Sequence, residues 1–207
     1  MIKQICGKTR IIVQMNIGIR FAKTNKKLVM NSINKNQPED NRDNLIGEEA
    51  IEKIKELIGK TSTCFFCTKI NTNENFSTRP MSVQKIDEEG NLWFLSAIDS
   101  HKNAELMDDP SVQLLFQGSD YSDFLTIYGT AEINQDKGMI KELWKPIVKN
   151  WFTEGEDDPR ITVIKVTPSK GYYWDTKHNM AIGMIKRLIG AAIGKTMDDS
   201  VEGTIKI

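Results

Sequence analysis

The feature that most constrains the fold is a rapid succession of short strand-like segments in the middle of the chain. Each is rich in β-branched and aromatic residues and is bounded by polar or glycine-containing turns. The predicted strands are Cys64–Ile70, Arg79–Ile86, Asn91–Ser96, Val112–Phe116, Phe124–Ile133 and Ile161–Val166, with Gly171–Trp174 as a shorter one. Because short connections join most neighbours, the pattern predicts a small antiparallel barrel rather than a doubly wound sheet.

Helical periodicity predicts three helices beside this sheet. The first runs from about Glu48 to Gly59, with its apolar residues on one stripe. A short helix, about Lys102–Met107, ends before Pro110. A longer helix, about Lys137–Phe152, has an aromatic stripe that we interpret as core or subunit packing, and Pro146 should kink it. The fold class is therefore mainly β with flanking helices.

Length and charge favour one domain with an extension. The chain has 207 residues, 39% of them hydrophobic, and its 28 basic residues balance 28 acidic ones. This balance does not point to nucleic acid or to an acidic membrane surface. The first 38 residues contain no acidic residue, so we expect residues 1–40 to be a poorly ordered basic extension and 41–207 to be a single domain. The alternatives are an organelle presequence and translation that starts at Met30.

Membrane insertion is not expected. No segment has the ~18 consecutive apolar residues that span a bilayer, so we predict a soluble, cytoplasmic protein without a membrane partner. The apolar tail, Met180–Gly194, either lies at a membrane surface or packs on its own barrel or on a partner subunit, which we favour. Thr204–Ile207 is expected to add an edge strand.

Cys64 and Cys67 have the spacing of a redox CxxC pair. They lie in a predicted strand, where positions three apart face opposite sides, so the two thiols should diverge. We therefore interpret them as buried thiols in a reducing compartment.

Most catalytic constellations are missing from the sequence. There are only two histidines, His101 and His178, so a histidine-rich metal centre is not expected. No nucleophile elbow, phosphate-binding P-loop or dinucleotide fingerprint occurs. Carboxylate pairs lie in predicted turns, where exposure to solvent accounts for them without a role in acid/base catalysis.

A phosphate site is predicted between Arg79 and Lys102. Arg79–Gln84 and Asn91–Ser96 form adjacent strands, and Ser100-His101-Lys102 opens the short helix. Two strands that end at a helix N-terminus bring together the guanidinium, the ammonium, hydroxyls and backbone N–H groups. A phosphomonoester, with close to two negative charges, fits such a place.

A set of short motifs follows a characteristic order along the chain. The motifs are Arg79-Pro80-Met81, Leu92–Ser96, Ser100-His101-Lys102, Val112–Phe116, Gly129–Glu132 and Tyr173-Trp174-Asp175. From about Glu48 to Ile207 the chain resembles the pyridoxamine 5′-phosphate oxidase-like FMN-binding split barrel superfamily, and within it the general stress protein 26 group. The resemblance implies a six-stranded antiparallel split β-barrel, FMN as cofactor, and a homodimer with flavin sites at the subunit interface.

The resemblance also implies which residues bind the flavin. They are Arg79, Pro80, Met81, Ser82, Val83, Gln84, Leu95, Ser96, Ser100, His101, Lys102 and Trp174. Arg79 would lie near the phosphate, and Ser100-His101-Lys102 keeps the outer members of the oxidases' Ser-Arg-Lys triplet. His101 is equally well explained as an exposed turn residue. Trp174 either contacts flavin across the dimer or packs into one end of the barrel.

Departures from the oxidases concern the substrate. The basic residues that hold pyridoxal phosphate are absent after Trp174, Gln84 replaces a lysine, and Phe124 replaces a flavin-contacting glutamine. We therefore do not expect vitamin B6 oxidation. We expect an FMN-dependent oxidoreductase with a small-molecule electron donor and acceptor and unknown catalytic residues. The alternatives are a non-catalytic flavin-binding stress protein, acting as reservoir or sensor, and a split barrel that uses deazaflavin or haem.

Overall fold

The computed structural model of the chain describes residues 41–72, 75–120, 122–177 and 199–207. Its strands are β1 Leu45–Ile46, β2 Thr63–Thr68, β3 Ser77–Ser82, β4 Lys85–Ile86, β5 Leu92–Ala97, β6 Ser111–Gln117, β7 Phe124–Asn134, β8 Ile161–Thr176 and β9 Ser200–Lys206. Its helices are α1 Glu48–Lys60, α2 His101–Asp108 and α3 Lys137–Leu143, with 3₁₀ turns at Pro146–Asn150 and Gly155–Asp157. The predicted basic extension and the apolar tail, Met180–Gly194, lie outside the described residues.

Antiparallel pairing closes the middle of the chain into a barrel. β6 pairs with β2 and β7, β7 pairs with β8, and β8 pairs with β5. The ring is completed by β3, which pairs with β2, and by β4, which pairs with β5. At the junction of β3 and β4, the Val83 N–H donates to Ser62 O at 2.8 Å and the Gln84 N–H to Trp93 O at 2.8 Å. With β3 and β4 taken as one interrupted strand, the predicted six-stranded antiparallel split β-barrel is confirmed.

β8 is the strand at which the sheet divides. β7 pairs along one edge of it, whereas the other edge pairs first with β5, over Ile161–Val166, and then with β9. The prediction of two separate strands here was wrong, because Pro168 does not break β8. Pro168 lies opposite Gly129, where the register between β7 and β8 shifts, and a proline is tolerated at such a bulge.

Alternation along the strands fills the barrel interior. In β5 the residues Leu92 and Phe94 are fully buried, and the Phe94 ring meets that of Phe66 edge-on at 5.3 Å. α1 buries one apolar stripe, including Ile54 and Leu57, in the same cluster. The interior is therefore a packed core, and any ligand has to bind on the outside of the barrel.

The long helix predicted at Lys137–Phe152 is two shorter elements. α3 ends at Leu143, Trp144 and Lys145 are extended, and a 3₁₀ turn begins at Pro146. The expected kink is a complete break because the residue before a proline is disfavoured in the α conformation. Both elements cover the outer face of β5 and β8 in a second apolar cluster.

The strand assignment at the cysteines is confirmed, since both lie in β2 and both are buried and free of a disulfide. Cys64 belongs to the interior cluster, whereas the Cys67 thiol donates to Thr78 Oγ1 at 3.5 Å. Burial raises the pKa of the Cys64 thiol to about 12. This pKa is that of an inert thiol rather than of a redox pair.

Within the part of the chain that the structure describes, no helix has both the length and the apolar character needed to cross a bilayer.

Candidate functional site

A cavity of about 580 Å³ opens on the outside of the barrel between the β3–β4 segment, β5, the start of α2 and the 3₁₀ turn at Pro146. We call it the lysine cavity. The predicted site residues on its wall are Pro80, Met81, Ser82, Gln84, Leu95, Ser96, Ser100 and Lys102. The structure therefore brings most of the predicted flavin-binding residues, from three separate elements, to one place.

Lys102 supplies the cation of this cavity. Its side chain is 5% exposed, and its ammonium donates to the Ser96 hydroxyl and, at 3.5 Å, to the Ser100 hydroxyl. It forms no ion pair with any carboxylate in the described residues. Burial, assisted by the nearby Arg79 charge, lowers the pKa of Lys102 to about 8, although Glu105 opposes this shift. The ammonium is thus held in a desolvated place without a counter-ion.

The start of α2 is fixed by a capping bond and by a buried polar network. Ser100 is the N-cap, and its Oγ accepts from the Asn103 N–H at 3.3 Å. Asn103 Oδ1 accepts from Ser96 Oγ at 2.8 Å, and Asn103 Nδ2 donates to Thr162 Oγ1 at 2.9 Å. These bonds anchor the helix to β5 and β8, so Lys102 enters the cavity from a rigid support.

Arg79 does not line the lysine cavity. Its guanidinium donates to Glu105 Oε2 at 2.7 Å and to Thr68 Oγ1 at 3.0 Å, and the Thr68 hydroxyl also donates to Glu105 at 2.5 Å. Burial acts to raise the pKa of Glu105, but the bonds from Thr68 and Arg79 outweigh it and lower that pKa to about 2. Arg79 thus reaches α2, the helix that carries Lys102, but its guanidinium is already paired with Glu105.

The sequence did not reveal Glu105 as part of the site. The available signal was its position three residues after Lys102 on a predicted helix, which places the two side chains on neighbouring faces. Only the tertiary structure shows that β2 and β3 deliver Thr68 and Arg79 to that carboxylate.

Apolar residues of the 3₁₀ turn, together with the two aromatic residues that follow it, form the other part of the wall. All four of Ile147, Val148, Trp151 and Phe152 line the cavity; Ile147 and Trp151 remain 60% and 67% exposed, whereas Val148 and Phe152 are buried. The interpretation of the stripe as core packing holds for its members in the second apolar cluster, whereas subunit packing of the exposed Trp151 stays a prediction. Trp151 lies beyond the break at Pro146, so it is not on the helix face that the periodicity predicted.

The remaining predicted residues lie elsewhere. Val83 is buried in the barrel core, and His101 is exposed at the first position of α2. Trp174 lines a second cavity of about 620 Å³, the sheet groove, together with Phe65, Leu115 and Phe124.

Trp174 does not plug the barrel, since it is 44% exposed and its ring lies 4.5 Å from that of Tyr172. The neighbouring Tyr173 is buried instead, at 1% exposure. The two cavities share Thr63 and Pro80, so the sheet groove begins where the lysine cavity ends.

A family comparison agrees with this geometry. Residues 49–198 match the family model described as pyridoxamine 5′-phosphate oxidase like. The chain belongs to this family. The predicted superfamily is thereby confirmed, and the matched range contains the whole barrel apart from β1 and β9.

Individual proteins also resemble the chain. Protein bli-3 of Neurospora crassa is 26% identical over 157 residues, which is 72% of this chain and 75% of that protein. A structure assigned as general stress protein 26 of Jannaschia sp. CCS1 has a TM-score of 0.65 at 21% identity and covers 75% of this chain and 97% of that one. General stress protein 26 of Bacillus anthracis str. Sterne has a TM-score of 0.52 at 24% identity and covers 59% and 92%. These structures show a shared fold.

Proposed function

We propose that this chain is a cytoplasmic flavoprotein that binds FMN in the lysine cavity and acts as an oxidoreductase on a small-molecule donor and acceptor. The observation that carries the proposal is the buried ammonium of Lys102, which has no carboxylate partner in the described residues and opens into a largely apolar cavity. A ligand with an anionic tail and a flat aromatic ring matches such a wall. FMN has both parts, and the chain belongs to a family of pyridoxamine 5′-phosphate oxidase-like proteins.

Lys102, Ser96 and Ser100 would hold the phosphate. The two serine hydroxyls now accept from the ammonium. A phosphate oxygen would take their place as its acceptor, and the Ser100 hydroxyl would then be free to donate to the phosphate, while the Ser96 hydroxyl keeps its bond to Asn103 Oδ1. A charge-assisted bond of this kind is stronger than the neutral bonds it replaces.

Leu95, Met81 and Trp151 would pack against the ring, because they supply apolar surface on different sides of the cavity. The backbone N–H groups of Val83 and Gln84 are already used to close the barrel. Polar contacts to the ring edge would therefore come from side chains such as Ser82 and Gln84, whose carboxamide now donates to the Ser82 carbonyl at 3.0 Å.

When bound, the flavin itself supplies hydride transfer, and the protein orients it and excludes water. Lys102 is the only ionisable residue on the described wall of the cavity, and we assign it to the phosphate. The chain's described residues thus offer binding and orientation rather than a general acid. The same observation also favours the second candidate, a flavin-binding stress protein without turnover.

A haem alternative receives no support from His101, because that residue is exposed and does not line the cavity. His178 lies outside the described residues. Deazaflavin has a ring and an anionic tail of similar chemistry, so the cavity would accept it on the same grounds as FMN.

A homodimer completes the proposal. The sheet groove presents Phe65, 58% exposed, and Trp174, 44% exposed, and such a continuous apolar face is typical of an interaction surface. Because the groove adjoins the lysine cavity, a second copy seated there would bring its own surface next to the ligand. Twofold symmetry would then give two equivalent sites.

The visible absorption spectrum of the purified protein tests this function. We expect flavin bands, and phosphate-containing flavin in the extract after denaturation. Oxidation of NADH or NADPH with an added electron acceptor would identify an enzyme, whereas bound flavin that stays oxidised under these conditions would identify the binding protein. A protein that neither contains nor takes up any flavin would refute both.

A further inference from the structure

The Arg79–Glu105 ion pair lies beside the lysine cavity and is built into the fold. The two side chains are 23% and 14% exposed, and Thr68, which bonds to both, is fully buried. β2, β3 and α2 each contribute one member of this cluster. In this arrangement two of the five guanidinium N–H donors are used, and the carboxylate neutralises the charge that would otherwise attract an anion.

The pair also acts on Lys102 through space. Glu105 lies three residues after Lys102 on α2, so the two side chains occupy neighbouring helix faces. The charge of Arg79 disfavours the Lys102 ammonium and that of Glu105 favours it, so both groups are close enough to act on the same point. The charges of Lys102, Arg79 and Glu105 therefore act together at the Lys102 ammonium, and they sum to a single positive charge.

We propose that Glu105 is a specificity residue that neutralises Arg79 and thereby limits the affinity of the lysine cavity for phosphate esters. This inference rests on the proposed function, in which the phosphate binds at Lys102. In it, Lys102 is the cation that the phosphate contacts, and Arg79 is withheld by an internal carboxylate.

A different role for Glu105 makes the opposite prediction. If Glu105 orients Arg79 so that the guanidinium bonds the phosphate directly, then loss of the carboxylate has to weaken binding. If Glu105 instead competes with the phosphate for positive charge, then its loss has to strengthen binding. The sign of the effect decides between the two roles.

Three variants replace one or both charged groups of the pair with a neutral carboxamide. Glu105→Gln raises the net charge of the pair by one, and Arg79→Gln lowers it by one. The double variant Arg79→Gln/Glu105→Gln has the same net charge as the wild type. FMN and riboflavin titrations, followed by flavin fluorescence, measure all four proteins. Riboflavin is the matched ligand because it has the ring and the ribityl chain without the phosphate.

We expect Glu105→Gln to bind FMN about tenfold more tightly than the wild type, since one like charge near the phosphate has been removed. Arg79→Gln should bind FMN more weakly, and the double variant should return close to the wild type. Riboflavin affinity should be similar in all four proteins. The differences for FMN should shrink as salt is added.

Weaker FMN binding by Glu105→Gln, or a double variant as weak as Arg79→Gln, would overturn the inference in favour of direct contact by Arg79. Wild-type protein that binds neither FMN nor riboflavin would refute the proposed function instead. In that case the charge of the site can be tested alone with inorganic phosphate. Its binding is measured as the shift in melting temperature of the same four proteins. The same order of affinities would support the role of Glu105, and equal affinities would refute it.

Discussion

At the scale of single residues, the proposed phosphate site depends on a lysine whose burial is energetically unfavourable. Lys102 is 5% exposed and has only hydroxyl acceptors, so desolvation disfavours its charged form. A structural role would be served better by an apolar side chain of the same length. A bound anion, in contrast, would compensate for the desolvation, which is why we assign this residue to a ligand.

The pH dependence of flavin binding follows from the same residue. The pKa of Lys102 in the free protein is about 8, and a bound phosphate would raise it. Binding is therefore strongest below that value, where the ammonium is already charged, and weakens as the pH rises through it. Fluorescence titrations from about pH 7 to about pH 9 should show a falling FMN affinity. Riboflavin affinity should stay constant, and an equally constant FMN affinity would contradict the assignment.

Sequence reasoning located Lys102, Ser96 and Ser100, because a helix start after a strand can be recognised from local patterns. It assigned Arg79 to the phosphate directly, whereas the structure pairs that guanidinium with Glu105. The competing interaction connects residues from β3 and α2, so no local pattern reveals it. The exposure of Trp151 is hidden from local patterns for a similar reason, since it depends on where Pro146 ends the preceding helix.

At the scale of elements, the break between β3 and β4 is what opens the site. The segment first pairs with β2 and then, after Val83 and Gln84, with β5. The sequence predicted one strand here and could not show the change of partner. Likewise, Pro168 suggested two strands where β8 is continuous, because a bulge between strands is a tertiary feature.

The parallel pairing of β1 with β9 depends on one close backbone approach. Gly203 lies in β9 opposite the chain just before β1, and a Cβ atom there would collide with the Asp43 carbonyl. We expect Gly203→Ala to lower the free energy of unfolding by about 1–3 kcal/mol. Gly59→Ala is the matched control, because nothing lies within 4 Å of its Cβ position, and it should be neutral or stabilising. Equal melting temperatures for the two variants would show that β9 adjusts without cost.

At the scale of the whole molecule, a closed barrel with a packed interior leaves its outer surface for binding. The lysine cavity and the sheet groove are adjacent there and share Thr63 and Pro80. The fold class was predictable because short antiparallel strands with few helices allow few architectures. The assembly is not encoded in any local pattern, and it remains a proposal that rests on exposed apolar surface.

The proposed dimer can be tested at the centre of the sheet groove. Phe65 is 58% exposed, and Phe65→Glu would place a charge on the apolar face. We expect the wild type to sediment as a dimer and this variant as a monomer, because burial of an unpaired carboxylate is strongly unfavourable. Ile46→Glu is the control, since Ile46 is 68% exposed and lines neither cavity. A Phe65→Glu protein that remains dimeric would place the interface elsewhere.

The assignment of Lys102 to the flavin phosphate is tested by the affinity of a Lys102→Met variant for FMN and for riboflavin. Methionine keeps an unbranched side chain of similar shape and removes the ammonium, so the ring site should persist. Loss of a charge-assisted bond of about 1.5–3 kcal/mol predicts at least tenfold weaker FMN binding. Riboflavin affinity should be unchanged or slightly improved. Equal FMN affinity for the wild type and the variant would contradict the claim that Lys102 holds the phosphate.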